Sequence, residues 1–79
     1  MTNSTDVARR TTLQARLVVA THTVRSLIFQ IKDIENNTQA SDNEKLSQIK
    51  KIREEIAKVG TEIDSIKKEF IILNSYSLN

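Results

Sequence analysis

The strongest constraint on the fold of this chain is a repeat of apolar residues at alternating spacings of four and three. The repeat occupies two long stretches, and the chain has no proline and a single glycine to interrupt them. Such spacing averages one apolar residue in about 3.5, which keeps one apolar stripe of a helix facing a partner helix. The sequence therefore predicts two packed helices.

The repeat assigns each apolar residue to one of two heptad positions. In the first stretch, position a holds Leu17, Val24 and Ile31, and position d holds Leu13, Ala20, Leu27 and Ile34. In the second stretch, position a holds Ile49, Ile56, Ile63 and Phe70, and position d holds Ile52, Val59, Ile66 and Leu73. We predict that these residues form the interface and core.

Start and stop signals divide the chain into two helices of similar length. The pattern predicts a flexible N-terminus over 1–6, helix 1 over 7–35, a turn over 36–40, helix 2 over 41–73 and a flexible C-terminus over 74–79, as one domain. Asparagine favours the left-handed conformation that ends a helix, and Asn36 and Asn37 open the turn. The run from Ser41 to Glu44 reads as a capping box that starts helix 2.

Equal helices joined by a short turn favour an antiparallel arrangement, because each helix then covers the whole length of the other. The predicted fold class is therefore all-α, an antiparallel two-helix hairpin of coiled-coil type; the main alternative is one continuous or jack-knifed helix that pairs between chains. A chain of 79 residues without cysteine has no disulfide to stabilise a small core. We expect the hairpin to assemble into a four-helix bundle or a larger helical complex.

Helix 1 also carries apolar side chains outside the a and d positions. Its flanking positions are mostly uncharged, whereas helix 2 has Glu55, Glu62 and Glu69 along one edge. An apolar surface wider than one seam indicates that helix 1 is covered on more than one side. The predicted partner face comprises Val18, Val19, Ile28 and Phe29.

These features predict a non-enzymatic protein–protein interaction module acting through its heptad faces. The partner is a second copy, giving a homodimer, or other helical proteins, with the chain as a small subunit of a scaffold, a secretion apparatus or a chaperone-like complex. A hairpin of this size is similar in architecture to the small subunits and co-chaperones of type III secretion systems. That resemblance has no sequence motif behind it, and the proline-containing loop of a needle subunit is absent.

Residues for chemistry are scarce. His22 is the only histidine and there is no cysteine, so one chain cannot assemble a nucleophile–base pair or a histidine-rich metal site. The sequence also contains no glycine-rich phosphate loop. We therefore expect no catalytic residues, metal, cofactor or small-molecule substrate.

The alternative function is a small helical dimer that binds nucleic acid through basic helix faces. Its candidate contacts are Arg9, Arg10 and Arg16. The formal net charge of +2 is small for such a role, which makes nucleic acid the less favoured partner. No apolar run approaches the ~20 residues of a membrane span, so the expectation is a soluble, cytoplasmic protein.

Overall fold

The chain folds as an all-α helical hairpin. A computed structural model describes residues 4–77, with helix α1 at Ser4–Asn36 and helix α2 at Asp42–Ser77. The helices pack against each other along their length, and the molecule measures 60 × 14 × 14 Å. The predicted fold class, an antiparallel two-helix hairpin, is confirmed.

Helix α1 includes the β-branched stretch from Leu17 to Val24, which taken alone resembles a strand. Threonines in this helix use their hydroxyl groups to bond the preceding turn. Thr11 Oγ1 donates to the carbonyl of Val7 at 3.0 Å, and Thr23 Oγ1 donates to that of Val19 at 2.9 Å. These bonds satisfy the hydroxyl groups of Thr11 and Thr23 within the helix.

Both helices extend past the predicted limits. α1 already includes Asp6, within the segment predicted to be flexible, and α2 runs on from Leu73 to Ser77. Arg10 Nη1 donates to Asn74 Oδ1 at 2.9 Å, which joins the two helix ends. Composition alone suggested frayed ends, whereas neither a proline nor a glycine stops either helix there. Residues 1–3 and 78–79 of the predicted termini lie outside the described part of the chain.

Side chains rather than left-handed residues make the turn. Among residues 4–77 no residue has a positive φ, which differs from the expected left-handed asparagine. Instead, Asn37 Oδ1 accepts a hydrogen bond from the Gln39 amide at 3.0 Å, forming an Asx-turn. Lys45 Nζ then donates to the carbonyl of Glu35 at 3.2 Å, satisfying one of the last carbonyls of α1.

Ser41 caps α2 and supplies the serine half of the predicted capping box. Its Oγ accepts from the Glu44 amide at 3.2 Å, and its carbonyl accepts from the Lys45 amide at 3.0 Å. These are the two bonds that define an N-cap residue. Asp42 and Glu44 also place negative charge in the first turn, where the helix dipole favours it.

Candidate helix-packing interface

The two heptad rows are buried to different depths. Six of the eight d residues are buried, and Leu13 and Ile66 are the most deeply buried, at 2% and 0% exposed. Leu13, Ile66 and Leu73 form one core cluster, with Leu17 and Phe70 packed against it. The other two d residues, Ile34 and Val59, are half-buried.

All seven a residues are only half-buried. In an antiparallel pair the a rows of both helices lie on the same side of the interface, next to the e positions. Together they form an apolar strip along one long face of the hairpin. We call this strip the open seam; it consists of Leu17, Val24, Ile31, Ile49, Ile56, Ile63 and Phe70.

The two sides of the hairpin have different borders. The g positions lie on the side opposite the open seam, and there Arg16 Nη2 is 3.6 Å from Glu62 Oε1. Both side chains are about half exposed, so this ion pair contributes no more than ~1 kcal/mol, although it marks the alignment of the helices. At the e positions near mid-length, the open seam is bordered by Thr21 of α1 and Gly60 of α2. These two residues leave the middle of the strip uncovered.

Gly60 is half-buried, and a Cβ built on it would meet nothing within 4 Å. No part of the hairpin therefore requires glycine at this position. A glycine inside a helix costs about 1 kcal/mol relative to alanine. The space beside Gly60 faces out from the open seam.

The four residues of the predicted partner face are all exposed, but they lie in different places. Val18 and Ile28, 68% and 42% exposed, border the open seam. Val19 lies on the opposite side, in a groove that Arg16 and Glu62 also line. Phe29 is on the outer surface, with Lys32 Nζ 5.9 Å from its ring centroid.

The sequence reasoning overlooked three exposed apolar side chains of α2, namely Leu46, Ile71 and Ile72. Leu46 and Ile71 are 66% and 64% exposed, and both occupy positions beside the open seam. Extending the heptad assignment to the b and e positions of α2 would have identified Leu46 and Ile71. Leu46 also lines a groove of about 710 Å³, together with Ile49, Ala57 and the charged residues Glu35, Lys50, Arg53 and Glu54.

A second groove opens on the α1 side of the seam. It has a volume of about 350 Å³ and is lined by Leu17, Val18, Thr21, His22 and Arg25. Both grooves are shallow and apolar along their floors.

The described residues contain no group of three or more histidine, cysteine, aspartate or glutamate side chains that could hold a metal ion. His22 is exposed on the outer surface of α1. Charged side chains stand around both grooves beside the open seam, Glu35, Lys50, Arg53 and Glu54 at one and Arg25 at the other.

The three arginines proposed for nucleic acid do not form one basic surface. Arg10 is hydrogen-bonded to Asn74, and Arg16 is paired with Glu62. Arg9 is exposed on the same edge of α1 as Arg16, and this edge faces the glutamates of α2. Two of the three side chains thus contact α2.

Within residues 4–77, neither helix has a stretch long and apolar enough to cross a membrane. In comparisons with known proteins, no family model, no curated protein and no solved structure matches the chain.

Proposed function

We propose that this chain is a non-enzymatic assembly module that packs its open seam against helices of another molecule. The observation that carries the proposal is the half-burial of all seven a residues in a hairpin whose d row is largely closed. Completing the burial of one large aliphatic side chain contributes on the order of 1 kcal/mol. Because each of the seven a residues is already partly buried, completing the burial of all of them contributes a few kcal/mol, a substantial share of the ~5–15 kcal/mol stability of an ordinary small domain.

The partner of this module is helical, because the open seam is a straight strip with side chains at helical spacing. A helix lying along it would bring its own apolar row against Val24, Ile56 and Ile63, as in a four-helix bundle. Nucleic acid binding has weaker support, since Arg10 and Arg16 already contact α2.

The test is light scattering over a dilution series, with helicity recorded on the same samples. We expect either an oligomer or, when the required partner is missing, a monomer with low helicity. A monomer that stays fully helical at every concentration would contradict the proposal, because such a chain would tolerate an uncovered seam.

A matched pair of variants links the result to the seam. Ile56→Asp places a charge at the centre of the strip and should abolish the oligomer or the remaining helicity. Thr61→Asp makes the same change on the exposed outer face of α2 and should have little effect. Equal effects of the two substitutions would also contradict the proposal.

A further inference from the structure

We infer that the partner is a second copy of this chain, docked so that its α2 runs antiparallel to α2 of the first copy. This inference rests on the proposed function, and it adds the identity and the orientation of the partner. It depends on the row of b and e residues on α2 that borders the open seam. We call this row the α2 edge; it consists of Asn43, Leu46, Lys50, Arg53, Ala57, Gly60, Asp64, Lys67, Ile71 and Asn74.

The α2 edge is nearly symmetric in chemistry about its midpoint, which lies between Lys58 and Val59. Reading outward from that midpoint, Ala57 corresponds to Gly60, and Arg53 corresponds to Asp64. A two-fold axis through the midpoint brings each residue opposite its counterpart in the other copy. Such self-complementarity is what a two-fold interface requires.

At the centre, Ala57 of one copy meets Gly60 of the other. Neither side chain extends beyond a Cβ, and the space beside Gly60 is empty in the hairpin. Two helices can therefore approach closely at this point. The close approach brings the half-buried Ile56 and Ile63 of both copies into contact.

On either side of the centre, Arg53 of one copy lies opposite Asp64 of the other. Both side chains are exposed in the hairpin. The two-fold axis forms this pair twice, once on each side. Asp64 is the only acidic residue of the α2 edge, so an antiparallel arrangement is the one that gives it a basic counterpart.

Farther out, Leu46 of one copy lies opposite Ile71 of the other. These two are among the most exposed large apolar side chains of the hairpin, at 66% and 64%. The groove beside Leu46 receives the Asp64–Ile71 half of the partner's α2 edge. Val18 and Ile28 of α1 lie on either side of the same axis, so the same docking covers them.

Other ways of stacking two hairpins bring side chains of like charge close together. If α2 lay against α1 of the partner, Lys50 and Arg53 would come near Arg25 and Lys32. If the two α2 helices ran parallel, every charged residue of the edge would face its own copy. Like charges at such distances are repulsive, so antiparallel α2 pairing is preferred.

The available area is sufficient for a stable dimer. One long face of a hairpin measuring 60 × 14 Å offers roughly 800 Å² to a partner, which matches the usual contribution per subunit to a specific interface. Lys50 opposite Lys67 is the one unfavourable kind of pair, and the two-fold axis forms it twice. Both are exposed lysines, whose flexible side chains can turn away from each other.

The experiment is a charge exchange measured by analytical ultracentrifugation of the full chain. Arg53→Asp brings two aspartates together at both symmetric sites, and Asp64→Arg brings two arginines together. We expect each single variant to weaken dimerisation on the order of tenfold or more. The double variant R53D/D64R restores the opposite charges and should recover most of the affinity.

Controls make the same changes in net charge elsewhere. Lys68→Asp on the outer face of α2 matches Arg53→Asp, and Asp33→Arg on α1 matches Asp64→Arg. Both controls should leave the dimer unchanged. Lys67→Glu removes the unfavourable pair and should tighten the dimer several-fold.

The outcomes separate this inference from the proposed function. If Ile56→Asp abolishes the oligomer but neither Arg53→Asp nor Asp64→Arg weakens it, the antiparallel α2 pairing is wrong. The proposed assembly function would still hold. A monomeric wild-type chain would overturn the second copy as partner, and its helicity would then decide the proposed function by itself.

Discussion

At the scale of single residues, isoleucine shows how unevenly the hairpin distributes burial. Ile66 in the d row has no exposed surface and packs with Leu13 and Leu73, whereas Ile56 in the a row is half-buried. The two side chains are identical, so their difference in stabilisation comes from position alone. This difference can be measured.

We expect Ile66→Ala to lower the free energy of unfolding by about 3 kcal/mol at any protein concentration, because it leaves a cavity inside one chain. Ile56→Ala should cost less at low concentration and more at high concentration, where association completes its burial. Urea unfolding at two protein concentrations measures both effects. Ser65→Ala, on the exposed surface of α2, is the control. Identical losses at both positions and both concentrations would refute this interpretation.

Gly60 permits two predictions: one substitution should stabilise the monomer, and a larger one should weaken the dimer. Its Cβ would meet nothing within 4 Å in the hairpin, so Gly60→Ala should raise the stability of the monomeric helix by about 1 kcal/mol. Gly60→Leu should also keep the helix intact, but it fills the space where two α2 helices approach. Denaturation at low concentration and sedimentation at high concentration test the two parts. Unimpaired dimerisation of Gly60→Leu, with Thr61→Leu as the control, would argue against close packing at this residue.

At the scale of helices, the sequence predicts which residues pack between the two helices better than it predicts where each helix ends. The seven-residue spacing of Leu13, Ala20 and Leu27 puts them on one face of a helix but not of a strand, and with the second repeat and the turn it predicts a packed hairpin. Which of the two rows lies deeper depends on the rotation of each helix about its own axis. That rotation follows from side-chain packing of the whole pair, which periodicity does not specify. The half-buried a row could therefore be found only in the structure.

The ends of the helices are likewise only partly predictable from the sequence. Polar composition suggested that helix 2 stops at Leu73, yet Asn74 accepts a hydrogen bond from Arg10, a residue 64 positions away. Contacts of such range cannot be deduced from local sequence. The start of α2 was predictable because its signal is local, a serine hydroxyl bonded to an amide three residues on.

The Ser41 cap gives an element-scale prediction. Ser41→Ala removes the acceptor for the Glu44 amide and should lower the stability of the hairpin by about 1 kcal/mol. Ser41→Asp keeps an acceptor there and should retain most of that stability. Thermal or urea unfolding measures the change, with Ser47→Ala on the exposed surface as the control. A neutral Ser41→Ala would mean that Lys45 and Asn37 hold the turn without the cap.

At the scale of the whole molecule, the shape of the hairpin makes its mode of assembly visible in solution. The radius of gyration of one hairpin is 18.0 Å, and its length is 60 Å. Stacking two hairpins side by side at about 10 Å between helix layers raises the radius of gyration to only about 19 Å. Joining them end to end would give roughly 35 Å. Small-angle X-ray scattering of the dimer should yield the smaller value, and the larger one would exclude docking through the open seam.

The Arg10–Asn74 hydrogen bond has a consequence for anything attached to this chain. Because it joins the two helices near Ser4 and Ser77, both ends of one hairpin leave at the same pole, opposite the turn. In the antiparallel dimer each pole then carries the turn of one copy and both ends of the other. Dyes linked to the two ends of one copy would be neighbours, whereas dyes on the same end of the two copies would be separated by nearly the length of the molecule.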